Sequence, residues 1–266
     1  MRSEEFFDTH PVFTFDEYRT ARAESGATLS TVKNLLARHV VSGRVVRVRQ
    51  ALYASVPRGV PASDFAPDPY LLATCLAQDA VVCGHAALQF FGKTYSVWDR
   101  YHYFTGDRRR SLSFRGAEFV PVQDPAPLRG LADRGGGIAE HAHAGGTVRV
   151  TTLERALADV LHSPERAGDW EEVWRSLEMV EYFDLDEVIV YVIHLGSAIT
   201  AARVGLFLDR HSSELLVEAH HLEALRGLSP RQPRYLDASR EPGRLVSSWN
   251  LIVPEHLTER HWEERG

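Results

Sequence analysis

The most constraining part of the chain is the stretch at residues 28–57, TLSTVKNLLARHVVSGRVVRVRQALYASVP, in which the hydrophobic period changes once. In its first half the apolar residues recur at helical spacing and share one face: Leu29, Val32, Leu36 and Val40. Thr28 precedes this run, where its hydroxyl can accept a hydrogen bond from an N–H group of the first turn. Gly43 follows it, at a position where glycine commonly ends a helix. The spacing therefore predicts a helix between Thr28 and Gly43.

The second half of the stretch alternates in the way that a pair of strands does. Its apolar strand positions are Val46, Val48 and Leu52. The predicted tip of this hairpin consists of Arg49, Gln50 and Ala51. A helix, a stop and a short basic hairpin, in this order, are typical of a winged helix-turn-helix.

A shorter helix is predicted before this stretch, at residues 13–23 (FTFDEYRTARA), where Thr14 and Glu17 have the spacing of a capping box. Residues 25–27 would then form the turn of a helix-turn-helix, whose second helix enters the major groove of DNA. The outward positions of that second helix are Ser30, Thr31, Lys33, Asn34, Ala37 and Arg38. We expect Ser30, Thr31 and Asn34 to read bases or to position the helix, because hydroxyl and amide groups can bond to base edges and phosphates.

The charges around this hairpin have one sign. From residue 28 to residue 58 there are six basic residues and no Asp or Glu: Lys33, Arg38, Arg44, Arg47, Arg49 and Arg58. The whole chain has 30 basic and 36 acidic residues, so a basic segment lies in an acidic protein. Because local positive charge attracts phosphate, we predict that these six residues contact DNA phosphates. Gln50 at the tip of the hairpin is also predicted to contact DNA. The alternative for the basic segment as a whole is a solvated surface that binds nothing.

The composition and patterning predict an α+β protein with two domains. Four prolines at residues 57–69 indicate an irregular linker. We therefore predict a winged-helix domain at residues 1–58, a linker at 59–67 and a larger mixed α+β domain at 68–266. In this second domain, the capping-box patterns Thr151-x-x-Glu154 and Asp184-x-x-Glu187 indicate the starts of two of its helices.

The sequence gives little support for a membrane protein or a metal-binding protein. No apolar run approaches the roughly 20 residues that span a bilayer, and the first ten residues lack the apolar core of a signal peptide, so we expect a cytoplasmic protein. Cys75 and Cys83 are too few for a zinc site. His141 and His143 face one side of a predicted strand but lack further ligands, and His220 and His221 are adjacent on a helix and would point apart. We predict no enzyme activity, metal or cofactor.

Several segments resemble the AbiEi family of antitoxins from type IV toxin–antitoxin systems: GRVVRVRQALYASVP, FTFDEYRTA, STVKNLLARHVVSG, CGHAALQFFG, VRVTTLERALADVL and WEEVWRSLEMVEYFDLDEVIVYVIHLGS. The resemblance implies a winged helix that binds inverted repeats at its own promoter and represses it. It also implies a second domain that counteracts a nucleotidyltransferase-like toxin from the same operon, with no cofactor. Family wings usually have glycine before the Leu-Tyr pair, whereas Gln50 and Ala51 stand there in this chain.

Two other classes of function stay open at this stage. A nucleic-acid-processing enzyme could use the winged helix to deliver its substrate, and loss of turnover on changing His141 and His143 would indicate it. A protein-binding module could use the same element to hold a partner, and a complex without salt-sensitive DNA binding would indicate that.

Overall fold

The computed structural model describes residues 3–23 and 27–258, so the predicted turn at residues 25–27 lies largely outside the described residues. The chain has a mixed α+β fold, and its described part contains three β-sheets. It divides into two compact units. Unit 1 comprises Met1–Val82, Trp98–Gln123 and Ile138–Val150, and unit 2 comprises Cys83–Val97, Asp124–Gly137 and Thr151–Gly266.

The described residues of the N-terminal part of unit 1 form three helices and three strands. In chain order they are α1 (Ser3–Thr9), β1 (Val12–Thr14), α2 (Phe15–Ala23), α3 (Leu29–Val41), β2 (Val45–Arg49) and β3 (Leu52–Ser55). The strands form an antiparallel sheet in the order β1-β3-β2, so the hairpin of β2 and β3 is joined on its β3 side by the strand that precedes α2.

An aromatic core holds these elements together. Phe6, Phe7, Phe13 and Tyr18 are buried beside Val32 and Leu36 of α3. The rings of Phe6 and Phe13 meet edge to face with centroids 5.1 Å apart. Because α1, β1 and α2 each contribute a ring, burial of these side chains fixes α3 against the rest of this region.

Local signals set the ends of α2 and α3. The Thr14 N–H donates to Glu17 Oε2 at 2.6 Å and the Glu17 N–H donates to Thr14 Oγ1 at 3.2 Å, which confirms the predicted capping box. The Thr28 hydroxyl accepts from the Thr31 N–H at 3.3 Å, and Gly43 follows α3 with a φ of +73°. Both ends of the predicted helix in this stretch are therefore confirmed.

Ala51 at the hairpin tip has a φ of +60°, the left-handed region that L-residues other than glycine adopt at a cost. The Ala51 carbonyl accepts from the Phe15 N–H at 2.9 Å, which ties the tip to the start of α2. The tip therefore accommodates Ala51 in a backbone conformation that favours glycine.

We expect Ala51→Gly to raise the free energy of unfolding by up to about 1 kcal/mol, because glycine removes the steric cost at positive φ. The greater entropy of glycine in the unfolded chain offsets part of this gain. Urea denaturation of the two proteins measures the difference. Ala54→Gly in β3 is the control. Ala54 is buried and does not have a positive φ, so this change should destabilise the fold. A loss of stability in Ala51→Gly would contradict the prediction.

The rest of unit 1 is one helix and a six-stranded sheet. These elements are α4 (Pro69–Cys75), β4 (Val81–Val82), β5 (Arg100–Phe104), β6 (Leu112–Phe114), β7 (Ala117–Val122), β8 (Ile138–His143) and β9 (Gly146–Thr151). The strand order is β6-β7-β5-β4-β9-β8, with parallel pairing of β5 to β7 and of β4 to β9. Residues 56–68 form neither helix nor strand, and the predicted domain boundary within them stays a prediction.

Unit 2 is mainly helical. It contains α5 (His85–Phe90), α6 (Leu153–His162), α7 (Trp170–Glu178), α8 (Leu185–Leu195), α9 (Ala198–Arg210), α10 (Ala219–Leu228) and α11 (Glu255–Thr258). Its small sheet consists of β10 (Arg234–Tyr235), β11 (Gly243–Val246) and β12 (Leu251–Pro254), in the order β10-β12-β11. No helix among residues 3–23 and 27–258 has the length and apolar character needed to cross a membrane.

The predicted cap of α6 is wrong by one residue. Thr152, not Thr151, accepts from the Arg155 N–H at 3.4 Å, because Thr151 still belongs to β9 and is buried. The predicted cap of α8 is confirmed, since Asp184 accepts from the Glu187 N–H at 3.2 Å.

A buried charge network lies at the centre of unit 2. The side chain of Arg155 has no exposed surface and lies 3.3 Å from Asp124 Oδ1 and 3.4 Å from Asp159 Oδ2. Tyr191 donates to Asp159 Oδ1 at 2.6 Å. Burial disfavours the charge of Arg155, but Asp159 and Asp124 outweigh this effect and hold the pKa of the guanidinium above its ordinary value.

Candidate nucleic-acid interface

The outward face of α3 consists of the residues that the helical period predicts. Val32 and Leu36 point into the core with almost no exposed surface. All six side chains predicted to point outward are exposed: Ser30, Thr31, Lys33, Asn34, Ala37 and Arg38. Leu29 and Val41, at the two ends of the helix, are exposed as well, so the predicted inward position of Leu29 is wrong. The 13-residue helix therefore presents two cations, two hydroxyls and an amide to solvent along one side.

The hydroxyl groups lie together in the first turn of α3. Thr28 Oγ1 is 3.1 Å from Ser30 Oγ and 2.9 Å from Thr31 Oγ1. These contacts hold both hydroxyls beside the positive end of the helix dipole, where phosphate oxygens are favoured. The arrangement can accept a phosphate at the helix start while leaving Asn34, one turn further along, free to contact a base edge.

The hairpin and α3 share an open groove of about 450 Å³. Lys33 from α3 lines it together with Arg47 and Gln50 from the hairpin. The remaining lining is largely apolar: Phe15, Leu36, Ala37, Val40, Val41, Ala51 and Tyr53. Three of the ten predicted contact residues are thus brought to one groove from two separate elements.

Lys33, Arg38 and Arg47 keep their charges directed to solvent. All three are exposed, and no described residue forms an ion pair with any of them. Arg47 Nε donates to the Arg49 carbonyl at 3.3 Å, a contact within the strand that leaves the guanidinium charge unneutralised. These three cations are available to an anionic ligand.

Arg44 and Arg58 are occupied by carboxylates of α1. Arg44 lies 3.0 Å from Glu4 Oε2 and 2.6 Å from Asp8 Oδ1, and it also donates to the Val56 carbonyl. Arg58 lies 3.5 Å from Glu4 and 3.3 Å from Asp8. Only 14% of the Arg44 side chain is exposed, so its contacts fasten α1 to the strand region within the fold.

Arg49 is half-buried at the end of β2 and donates to the carbonyl of Leu76. Burial lowers the pKa of its guanidinium, and the nearby positive charge of Arg109 lowers it further. Arg49 therefore has one hydrogen bond within the fold and a second arginine as a neighbour.

Sequence reasoning did not single out Val41, whose side chain is 88% exposed and lines the groove. An available signal was its position, one residue beyond the apolar face that ends at Val40. An exposed apolar side chain that enters the major groove can contact the methyl group of thymine.

The histidine pairs of the sequence have structural partners. His143 Nε2 lies 2.8 Å from Asp68 Oδ2, and Asp68 caps α4 by accepting from the Leu71 N–H. No group of three metal-ligand side chains within the described residues includes His141 or His143. The enzyme alternative that depends on this pair gains no geometric support.

His220 and His221 do not point apart as predicted, because their ring centroids are only 3.9 Å apart. Their nitrogens and a carboxylate oxygen of Asp186 lie within 4.8 Å of one another. However, His221 Nδ1 faces the Glu218 N–H at 3.1 Å and must accept from it. The neutral ring then carries its proton on Nε2, and a protonated nitrogen has no lone pair to donate to a metal ion.

Comparisons with known proteins support the fold alone. No protein-family profile matches the sequence, and no curated protein matches it. The structure is similar to the crystal structure of the RV2827C protein from Mycobacterium tuberculosis, with a TM-score of 0.60 and 16% sequence identity. The similarity covers 91% of this chain and 86% of that chain. The two proteins therefore share a fold across most of their lengths.

Proposed function

We propose that this protein is a DNA-binding transcriptional autorepressor of the AbiEi antitoxin type, with a winged-helix domain at residues 1–58. Three features support the winged helix: the order of the elements, the β1-β3-β2 sheet and the exposed polar face of α3. In this proposal α3 enters the major groove, and the hairpin of β2 and β3 is the wing that follows the backbone.

The observation that carries the proposal is the groove between α3 and the wing. Lys33, Arg47 and Gln50 line it with their polar ends accessible, and Arg38 is exposed on the same helix as Lys33. Cations that the fold leaves unneutralised are the groups that release counterions from DNA on binding. A protein whose net charge is −6 needs such a local surface to approach a polyanion.

The contacts divide by chemistry. Lys33, Arg38 and Arg47 bind phosphates in this proposal, and the first-turn hydroxyls and Asn34 position α3 and read base edges. We assign Arg44 and Arg58 to holding α1 in place, since each already has two carboxylate partners.

Fluorescence anisotropy with the DNA upstream of this gene tests the repressor proposal. Titrations at several salt concentrations, with a random duplex of equal length in parallel, give the affinity ratio and the salt slope. We expect a preference for the upstream DNA and a slope of log K against log salt of about −3 or steeper, since each phosphate contact contributes about −0.9. Equal affinity for both duplexes would contradict sequence-specific repression.

Asn34→Ala is expected to reduce the discrimination between upstream and random DNA by about 1–3 kcal/mol, because a bidentate amide–adenine contact is lost. The same titrations measure this change. The control is Lys33→Ala, which should weaken binding to both duplexes equally and make the salt slope shallower by about one. An equal loss on both duplexes in Asn34→Ala would remove Asn34 from base readout.

The antitoxin half of the proposal rests on the resemblance of segments in unit 2, including the residues of α6, α7 and α8. It is tested by expressing the neighbouring gene alone and together with this protein. We expect growth arrest by the neighbouring gene product and its relief by the full chain. A variant with Lys33, Arg38 and Arg47 changed to Ala should still relieve arrest when expressed from an unrelated promoter, which separates repression from toxin antagonism.

A further inference from the structure

The turn at residues 76–79, between α4 and β4 in unit 1, is an attachment point for two arginines from different strands. Arg49 of the wing donates to the Leu76 carbonyl, and Arg149 of β9 donates to the Gln78 carbonyl. Both guanidinium groups are thereby held at the same end of the six-stranded sheet, the end at which the inner strand β4 begins.

The same turn also fixes the loop between β5 and β6. Asp79 accepts from the Thr105 hydroxyl and from the Gly106 N–H, each at 2.6 Å. The Asp107 N–H donates to Thr105 Oγ1 at 3.1 Å. These bonds hold the first residues of the loop at residues 105–111 against the turn, beside the attachment points of the two arginines.

The loop adds three consecutive arginines to this end of the sheet: Arg108, Arg109 and Arg110. All three are exposed. Arg109 pairs with Asp107 at 2.7 Å, whereas no hydrogen bond or ion pair joins Arg108 or Arg110 to the described residues. Because Arg49 and the start of the loop are bonded to the same turn, the loop and the wing are neighbours. Burial, and then the positive charge of Arg109, lower the pKa of the Arg49 guanidinium.

This end of the sheet is strongly basic. It has two aspartates, Asp79 and Asp107, and five arginines: Arg49, Arg108, Arg109, Arg110 and Arg149. Asp79 is committed to the loop backbone and Asp107 to Arg109, so neither neutralises Arg108 or Arg110. Like charges held together repel, and a polyanion with closely spaced phosphates relieves that repulsion.

We propose that the β5–β6 loop is a second phosphate-binding element of the protein, which extends the DNA contact of the wing beyond the N-terminal helices through Arg108 and Arg110. This inference rests on the proposed DNA binding and deepens it. It assigns the DNA a longer footprint than α3 and the wing cover, with the additional phosphates on the side of the wing where Arg49 lies.

The test is the double variant Arg108→Ala/Arg110→Ala in the full chain, titrated with the upstream duplex across a range of salt concentrations. We expect the salt slope to become shallower by about two and the affinity at about 0.1 M salt to fall roughly 10–100-fold. Discrimination against random DNA should be unchanged, since phosphate contacts carry no sequence information. The matched control is Arg231→Ala/Arg240→Ala, which removes two exposed arginines of unit 2 and should leave the slope unaltered.

A second measurement uses duplexes shortened stepwise from each end. The unsubstituted protein should lose affinity when one particular end is shortened, while the double variant should be insensitive to that shortening. If the unsubstituted protein binds with a steep salt slope and the double variant has the same slope, the loop does not touch DNA and only this inference fails. If the unsubstituted protein shows no salt-dependent binding, the proposed function itself fails and the inference with it.

Discussion

Replacing Arg155 by methionine is expected to lower the free energy of unfolding by about 3–5 kcal/mol, the range found when one partner of a buried ion pair is removed. The guanidinium fills a site with no solvent exposure between Asp124 and Asp159. It also donates to the carbonyls of Arg134 and Gly136 at 3.0 and 2.7 Å. Methionine retains much of the apolar volume but removes the guanidinium from two buried carboxylates and two carbonyls. Asp159 then keeps the Tyr191 hydroxyl, and Asp124 keeps Arg134. Urea denaturation followed by circular dichroism measures the loss.

The loss should depend on pH in a predictable direction. Burial raises the pKa of Asp159, and Arg155 acts against this rise. A carboxyl whose folded-state pKa is raised contributes stability at low pH that is lost as pH rises through that pKa. Without Arg155 the pKa of Asp159 rises further, so the destabilisation should be larger at about pH 7 than at about pH 5, where more of Asp159 is protonated.

Two further variants separate this network from a general effect of removing arginine. Arg166→Met changes a half-exposed arginine whose nearest carboxylate, Glu165, is 3.7 Å away, and it should cost less than about 0.5 kcal/mol. Asp159→Asn added to Arg155→Met should restore part of the loss, because one unpaired buried charge disappears. A cost below about 1 kcal/mol for Arg155→Met would show that the pair is not needed for stability.

The triple variant with Lys33, Arg38 and Arg47 changed to Ala is expected to abolish most of the DNA affinity. Three lost phosphate contacts make the salt slope shallower by about three and weaken binding at about 0.1 M salt by on the order of 10²–10³-fold. The three side chains are exposed, so the unfolding free energy should change by no more than about 0.5 kcal/mol per site. Anisotropy titration and urea denaturation of the same samples give both numbers.

The control for this variant removes three exposed arginines of unit 2, Arg231, Arg240 and Arg244, and so alters the net charge equally. If binding depends on the surface of α3 and the wing, the control should keep nearly the full salt slope. An equal reduction in both variants would mean that net charge, rather than these three positions, controls the affinity.

The parts of the fold that sequence reasoning predicted correctly are the ones that local interactions determine. The face of α3 follows from the spacing of Val32 and Leu36, and the capping box of Thr14 and Glu17 joins groups three residues apart. The predicted start of α6 is wrong because Thr151 stands three residues before Glu154, the spacing of a capping box, whereas the adjacent Thr152 is the actual cap. Pairing of β9 decides between them by keeping Thr151 in the strand.

The charge of the candidate site was harder to predict, because it depends on contacts between residues distant in the chain. The count from residue 28 to residue 58 contains no acid, yet Arg44 and Arg58 meet Glu4 and Asp8 of α1. The arginines of the β5–β6 loop lie about 60 residues from the hairpin of β2 and β3 in sequence, and bonds to the turn at residues 76–79 bring the two together.

The interleaved composition of the two units has a consequence for biosynthesis. The last segment of unit 1, Ile138–Val150, supplies β8 and most of β9, and β4 at the middle of the sheet pairs with β9. The N-terminal three-stranded sheet can form once residue 55 has emerged from the ribosome, but the larger sheet must wait for roughly 95 more residues, on the order of 5–20 s of synthesis. The nascent chain exposes the unpaired edge of β4 during the later part of that interval, from residue 82 to residue 150, which makes this edge a natural site for chaperone binding or for misassembly.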